Sequence, residues 1–116
     1  MKEINSSEFE QEVLQSDKVI LDFYSTECPP CEALATKFED LSDIYGKDIK
    51  FLKIFRQKNR DLAEKMEVKS SPTLLFFENG REVAGRLTGG IKRSDIIRNL
   101  DSMLPVEKVA RIKSKI

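Results

Sequence analysis

The run Lys18-Val19-Ile20-Leu21-Asp22-Phe23-Tyr24, carried across Ser25-Thr26-Glu27 into Cys28-Pro29-Pro30-Cys31, decides how the rest of the chain is read. Its first part is β-branched and aromatic and is apolar on both faces except for one Asp, which predicts a central strand covered on both sides. Its second part opens a helix: Leu34, Phe38, Leu41 and Ile44 recur on one face and the pattern stops near Gly46. A buried strand therefore feeds through a short loop into a helix that carries two cysteines at its start.

That placement has a chemical use. With Cys28 as N-cap, its sulfur lies against unpaired backbone donors and the positive end of the helix dipole, both of which favour thiolate over thiol. Pro29 suits the first helical position and Pro30 removes the next donor, which leaves the Cys31 N–H to reach the sulfur. Glu27 and Glu32 flank the pair and oppose a thiolate. The Cys28 pKa is expected to be lowered, but not to the extreme of a strong oxidant. A less stabilised thiolate makes the dithiol a better donor, so electrons are expected to flow outward to a target disulfide.

Elsewhere, Ser7-x-x-Glu10 reads as a capping box opening a helix over 7–15 with Phe9, Val13 and Leu14 at helical spacing. A strand is expected over 49–55 and a short helix over 61–67. Thr73 to Phe77 and Glu82 to Thr88 flank Glu78-Asn79-Gly80-Arg81, the strongest kind of short hairpin signal, and should pair antiparallel. After Gly89-Gly90, the set Ile96, Ile97, Leu100 and Leu104 predicts a last amphipathic helix. The order β, α, β, α, β, α, β, β, α predicts an α/β fold with a mixed sheet and helices on both faces. Beyond Pro105, residues 106–116 form a basic tail or extra helix with Val106, Val109, Ile112 and Ile116 at near-helical spacing.

Composition narrows the function classes. At 116 residues the chain is long enough to bury about two thirds of its unfolded surface, so a core needs no metal or disulfide. The absence of His excludes Ser-His-Asp and Cys-His catalysis and removes the commonest zinc ligand, and no metal or cofactor is expected. Twenty Lys and Arg against twenty Asp and Glu argue against a generic nucleic-acid binder. That neutrality is a cancellation. Residues 1–45 carry eleven acidic and three basic side chains, net −8, and the remainder seventeen basic and nine acidic, net +8. Kept on different faces, the halves would make a strongly dipolar molecule able to steer a charged partner. The start lacks the charged-then-apolar pattern of a secretory signal, and the longest apolar runs are strand-sized against the roughly 20 residues that span a bilayer. A cytoplasmic protein with no membrane association is expected, where a close Cys pair is redox-active or metal-binding rather than a staple.

In order along residues 1–104, Leu21-Asp22-Phe23-Tyr24, Cys28-Pro29-Pro30-Cys31, Lys53, Ser71-Pro72-Thr73, Phe77-Glu78-Asn79-Gly80 and Gly89 resemble the thioredoxin family. The resemblance implies a central mixed five-stranded sheet flanked by four helices, a cis Ser71–Pro72 bond beside the disulfide, and thiol–disulfide oxidoreductase activity as a protein-disulfide reductant. It implies that Cys28 attacks a target disulfide, that Cys31 resolves the mixed disulfide, and that Asp22 takes the Cys31 proton through water with Lys53 as its charge partner. Pro29, Pro30, Ser71, Pro72 and Gly89 would meet the target, with the Ser71 backbone adding the target segment as a strand. An ordinary strand lysine at 53, and an Asp22 merely neutralised by it, are the plainer alternatives. Partners would be disulfide-containing proteins and an upstream reductase, and the chain is expected to be a monomer. A disulfide isomerase or oxidase, or a non-catalytic binding module, are the competing functions. The chain departs from the usual family pattern at Glu27, Pro29, Glu32, Tyr24 and Ser71 and in the basic loop Arg56-Gln57-Lys58-Asn59-Arg60, all on the partner-docking rim.

Overall fold

Five strands form one sheet in the order β1-β3-β2-β4-β5 in the computed structural model, which describes residues 1–115. Strands β1 (Lys2–Ile4), β3 (Lys50–Phe55) and β2 (Lys18–Tyr24) run parallel, while β4 (Thr73–Glu78) lies antiparallel to β2 and to β5 (Arg81–Thr88). The central β2 is buried along Val19–Phe23, as its two-sided apolar pattern predicts. Asn79 and Gly80 both adopt positive φ, 51° and 80°, the conformation that the Asn-Gly hairpin turn requires.

Pleating divides the core in two. Val19, Leu21 and Phe23 of β2 pack on one face with Phe9, Val13, Leu62 and Ala63. Ile20 packs on the other with Leu34, Phe38 and Leu41 of α1 (Pro29–Tyr45) and with Ile96 and Leu100 of α3 (Arg93–Ser102). The short helix α2 (Arg60–Lys65) belongs to the first face.

The N-terminal segment differs from the expected helix over 7–15. It is a 3₁₀ turn, Ser6–Glu8, followed by a π-helical turn, Glu10–Leu14. The capping box is Asn5 with Glu8 rather than Ser7 with Glu10. The Asn5 side chain accepts the Ser7 N–H at 3.0 Å, and Glu8 accepts the Asn5 N–H at 3.1 Å. Asn caps as well as Ser does, and the neighbouring Ser6 is drawn into tertiary bonds to Asn59 and Asp61. Three α-helices and this irregular segment therefore flank the sheet.

The tail forms a fourth helix, α4 (Val106–Lys113). Ile112 packs against the α1–α3 core, Lys113 pairs with Asp101 at 3.0 Å and Lys108 pairs with Asp48. Ile116, the last apolar position of the expected tail pattern, lies outside the described residues. Tyr45, fully buried at the end of α1, donates to Asp101 Oδ1 at 2.7 Å and so ties α1 to the helix that α4 leans on. Tyr45→Phe is expected to cost about 1.5–3 kcal/mol in urea unfolding, the usual worth of a hydrogen bond to a charged acceptor. No helix among the described residues is long and apolar enough to cross a membrane.

Candidate active site

Because β2 and β3 are parallel neighbours, Tyr24 pairs with Phe55, and the loops that follow both strands emerge at the same end of the sheet. Cys28 stands at the end of the β2 loop as the N-cap of α1, with extended backbone (φ −131°, ψ 92°), and Pro29 and Pro30 occupy the first turn. The Cys31 N–H donates to Cys28 Sγ at 3.3 Å, the single donor that the double proline leaves in reach. Cys28 and Cys31 form a disulfide. Cys28 is half-buried and Cys31 is 8% exposed, so the two sulfurs differ in access. Pro29 and Pro30 are exposed beside them.

The loop before β4 closes over the other side. The Ser71–Pro72 peptide is cis, and the Ser71 carbonyl oxygen lies 3.6 Å from Cys28 Sγ. Gly89, at φ +73°, donates its N–H to the Pro72 carbonyl at 3.3 Å, which brings the end of β5 to the same place. Cys28, Cys31, Pro29, Pro30, Ser71, Pro72 and Gly89, separated by as many as 61 positions in sequence, thus share one end of the sheet.

Asp22 lies deeper on the α1 side of β2 and is 6% exposed. Its Oδ1 has no hydrogen-bond partner among the described residues. Burial raises its pKa from 3.8 to about 7, against the opposing pull of Lys53. Lys53 stands directly across from Asp22 in the β2–β3 register. The Lys53 ammonium lies 5.4 Å from the centroid of the Tyr24 ring, and no hydrogen bond joins it to Asp22 Oδ1.

Three contributors escape sequence reasoning. Ser25 Oγ and Ser71 Oγ are 2.6 Å apart, a hydroxyl pair that joins the Cys28 loop to the cis-proline loop. Thr26 donates its N–H and its hydroxyl to Gln57 Oε1 at 3.1 and 3.2 Å, which joins the same loop to the basic segment after β3. The partners are 46 and 31 residues apart, and no local pattern marks them. Ser25→Ala and Ser71→Ala, each expected to cost about 0.5–1.5 kcal/mol, should be non-additive in a double-mutant cycle of urea unfolding; additive losses would show that the pair is uncoupled.

The topology brings parts of the acidic and basic segments together. Strand β3, from the basic part of the chain, is inserted between β1 and β2 of the acidic part. Lys50 bonds to Glu12 at 3.2 Å, and the basic 56–60 loop touches the loop that bears Glu27. Both signs of charge therefore meet at the rim of the disulfide.

Residues 1–102 match the family model described as Thioredoxin. The chain is 42% identical over 79 residues to Thioredoxin-1 of Saccharomyces cerevisiae, an alignment that covers 68% of this chain and 76% of that protein. It is 33% identical over 97 residues to Protein disulfide-isomerase 1 of Caenorhabditis elegans, covering 81% of this chain and 20% of that much longer protein. Its fold superposes on the solved thioredoxin of Malassezia sympodialis with a TM-score of 0.80 and 25% identity, over 89% of this chain and 90% of that one. With a disulfide capping the helix that follows the central strand and a matching domain over nearly the whole length, the chain belongs to the thioredoxin family of thiol–disulfide oxidoreductases.

Proposed function

We propose that the chain is a protein-disulfide reductant in which Cys28 attacks and Cys31 resolves. The observation that carries this reading is the asymmetry of the pair: the half-buried Cys28 sulfur accepts a backbone N–H at a helix N-terminus, whereas Cys31 is buried. The Cys28 thiolate attacks one sulfur of a target disulfide, forms a mixed disulfide, and expels the target's other sulfur as a thiolate that takes up a proton. Cys31 then loses its proton to the Asp22 carboxylate. The Cys31 thiolate attacks Cys28 Sγ and expels the second target thiolate, leaving Cys28 and Cys31 oxidised and the target reduced by two electrons.

Asp22 suits this role because its pKa near 7 lets it accept and return a proton under ordinary conditions. Lys53 tempers that pKa from across the strand. The Ser71 backbone, next to Cys28, is placed to receive an extended target segment, with Pro29, Pro30, Pro72 and Gly89 forming the surrounding surface. An upstream reductase must return two electrons and two protons for each turnover, which suits a monomeric electron carrier of a reducing, cytoplasmic compartment.

The rim carries exposed Glu27 and Glu32 on one side and Lys58 and Arg60 on the other. We read this as a specialised docking surface, with a dedicated reductase or a narrow target set. The direction of electron flow is tested by equilibrating the Cys pair in dithiothreitol and glutathione buffers. A potential near the thioredoxin value of about −270 mV supports the reductant reading; one near the isomerase value of about −180 mV overturns it. Efficient turnover with NADPH and a standard thioredoxin reductase would remove the reason for a dedicated donor.

A further inference from the structure

Glu3 of β1 pairs in register with Lys53 of β3, and Lys53 with Asp22 of β2. Register partners project to the same side of a pleated sheet, so the three form one lateral row on the α1 side, and Tyr24, two residues beyond Asp22, joins them. The lysine stands between two carboxylates. Its ammonium lies 5.4 Å from the Tyr24 ring centroid, within the range of about 6 Å in which a cation is attracted to an aromatic face. The Tyr24 hydroxyl donates to Glu3 Oε2 at 2.8 Å, which fixes the ring toward the β1 edge. Asp22 Oδ1 meanwhile has no partner among the described residues.

We propose that Tyr24 is a positioning residue: its ring holds the Lys53 ammonium off Asp22, so that the buried carboxyl keeps its affinity for a proton. The consequence for catalysis rests on the reading of Asp22 as the Cys31 proton acceptor. An opposite charge brought within about 4–6 Å lowers a carboxyl pKa by about 1–3 units, so a lysine released to Asp22 would weaken its basicity. Burial, the bond to Glu3 and the charges of Glu3 and Asp22 push the Tyr24 phenol up to about 12, so the hydroxyl stays protonated as the donor to Glu3.

The other groups facing Asp22 leave Lys53 as the cation whose position matters. Strand β4 presents Leu74 opposite Asp22. On the same face α1 contributes Cys31, held in the disulfide, with Leu34 and Phe38, and α3 contributes Ile96 and Leu100. Glu3 is engaged by Tyr24, and Glu27 and Glu32 are exposed on the rim.

The test is the Asp22 carboxyl titration, followed by ¹³C NMR in the oxidised protein, where neither cysteine titrates. In Tyr24→Leu the midpoint should fall by about one pH unit, a tenfold loss of proton affinity. In Tyr24→Phe, which keeps the ring, it should stay near the wild-type value. In a Lys53→Met background, Tyr24→Leu should leave the midpoint unmoved. An unchanged or raised midpoint in Tyr24→Leu, an equal fall in Tyr24→Phe, or an equal fall without Lys53 would each overturn the proposal. The wild-type protein supplies a readout independent of any variant: the Lys53 ε-methylene protons should resonate upfield of ordinary lysine values through the Tyr24 ring current, and ordinary values would overturn the placement. Whether Asp22 serves as the proton acceptor is read separately, from the resolution rate of Asp22→Asn, so failure of one claim does not mimic failure of the other.

Discussion

Cys28→Ser should lower the rate of target-disulfide reduction by at least about a thousandfold, because a serine hydroxyl at neutral pH cannot replace the attacking thiolate. Cys31→Ser should stop one step later. Its Cys28 thiol still attacks, but nothing displaces the target from the Cys28 sulfur, so a covalent one-to-one adduct accumulates and survives denaturing electrophoresis without reductant. The two phenotypes differ because one residue lies half-buried at the helix cap and the other is closed off beneath it. Adduct formation by Cys28→Ser but not by Cys31→Ser would reverse the assignment. Proteins captured on Cys31→Ser also identify the target set, and charge reversal at Lys58 or Arg60 should alter which are caught if the rim selects them.

Asp22→Asn should change the pH dependence of stability by roughly 4 kcal/mol between acid and alkaline pH. The carboxyl titrates near 3.8 when unfolded and about 7 when folded, raised by burial. Below 3.8 both states hold the proton and the group contributes nothing. Between 3.8 and 7 the folded state retains a proton that the unfolded state has lost, so stability falls as pH rises. Above 7 the full cost of a buried charge is present, about three units at 1.36 kcal/mol each. The neutral amide escapes this cost. In urea unfolding of the oxidised proteins, Asn should match Asp near pH 4 and exceed it progressively toward pH 9. A difference that is flat with pH would sink the claim that Asp22 is held neutral by burial. The same variant should slow resolution while leaving the first attack intact, because only the Cys31 proton depends on Asp22.

The central strand and the Cys28 cap were legible because both are local. Seven residues that are apolar on both faces admit few environments other than the middle of a layered sheet. A cysteine three positions before a free N–H, with prolines between, has one capping geometry available. The N-terminal segment departs from its helical pattern for a reason that is only partly local. Two capping boxes overlap there, Asn5 with Glu8 and Ser7 with Glu10, and a contact between Ser6 and Asn59, 53 residues away, favours the first.

The sequence by itself determined the strands, the helices after the first segment, the hairpin turn and the Cys pair at a helix cap, because propensity, capping and pleat periodicity act over a few residues. Only the tertiary structure decided what surrounds that pair. Inserting β3 between β1 and β2 interleaves segments from the acidic and basic parts of the chain, and the loop after β3 meets the loop that bears Glu27. The same insertion sets Lys53 between Glu3 and Asp22. That the lysine also comes within 5.4 Å of the Tyr24 ring centroid is a matter of a few ångströms across strands, which no one-dimensional pattern encodes.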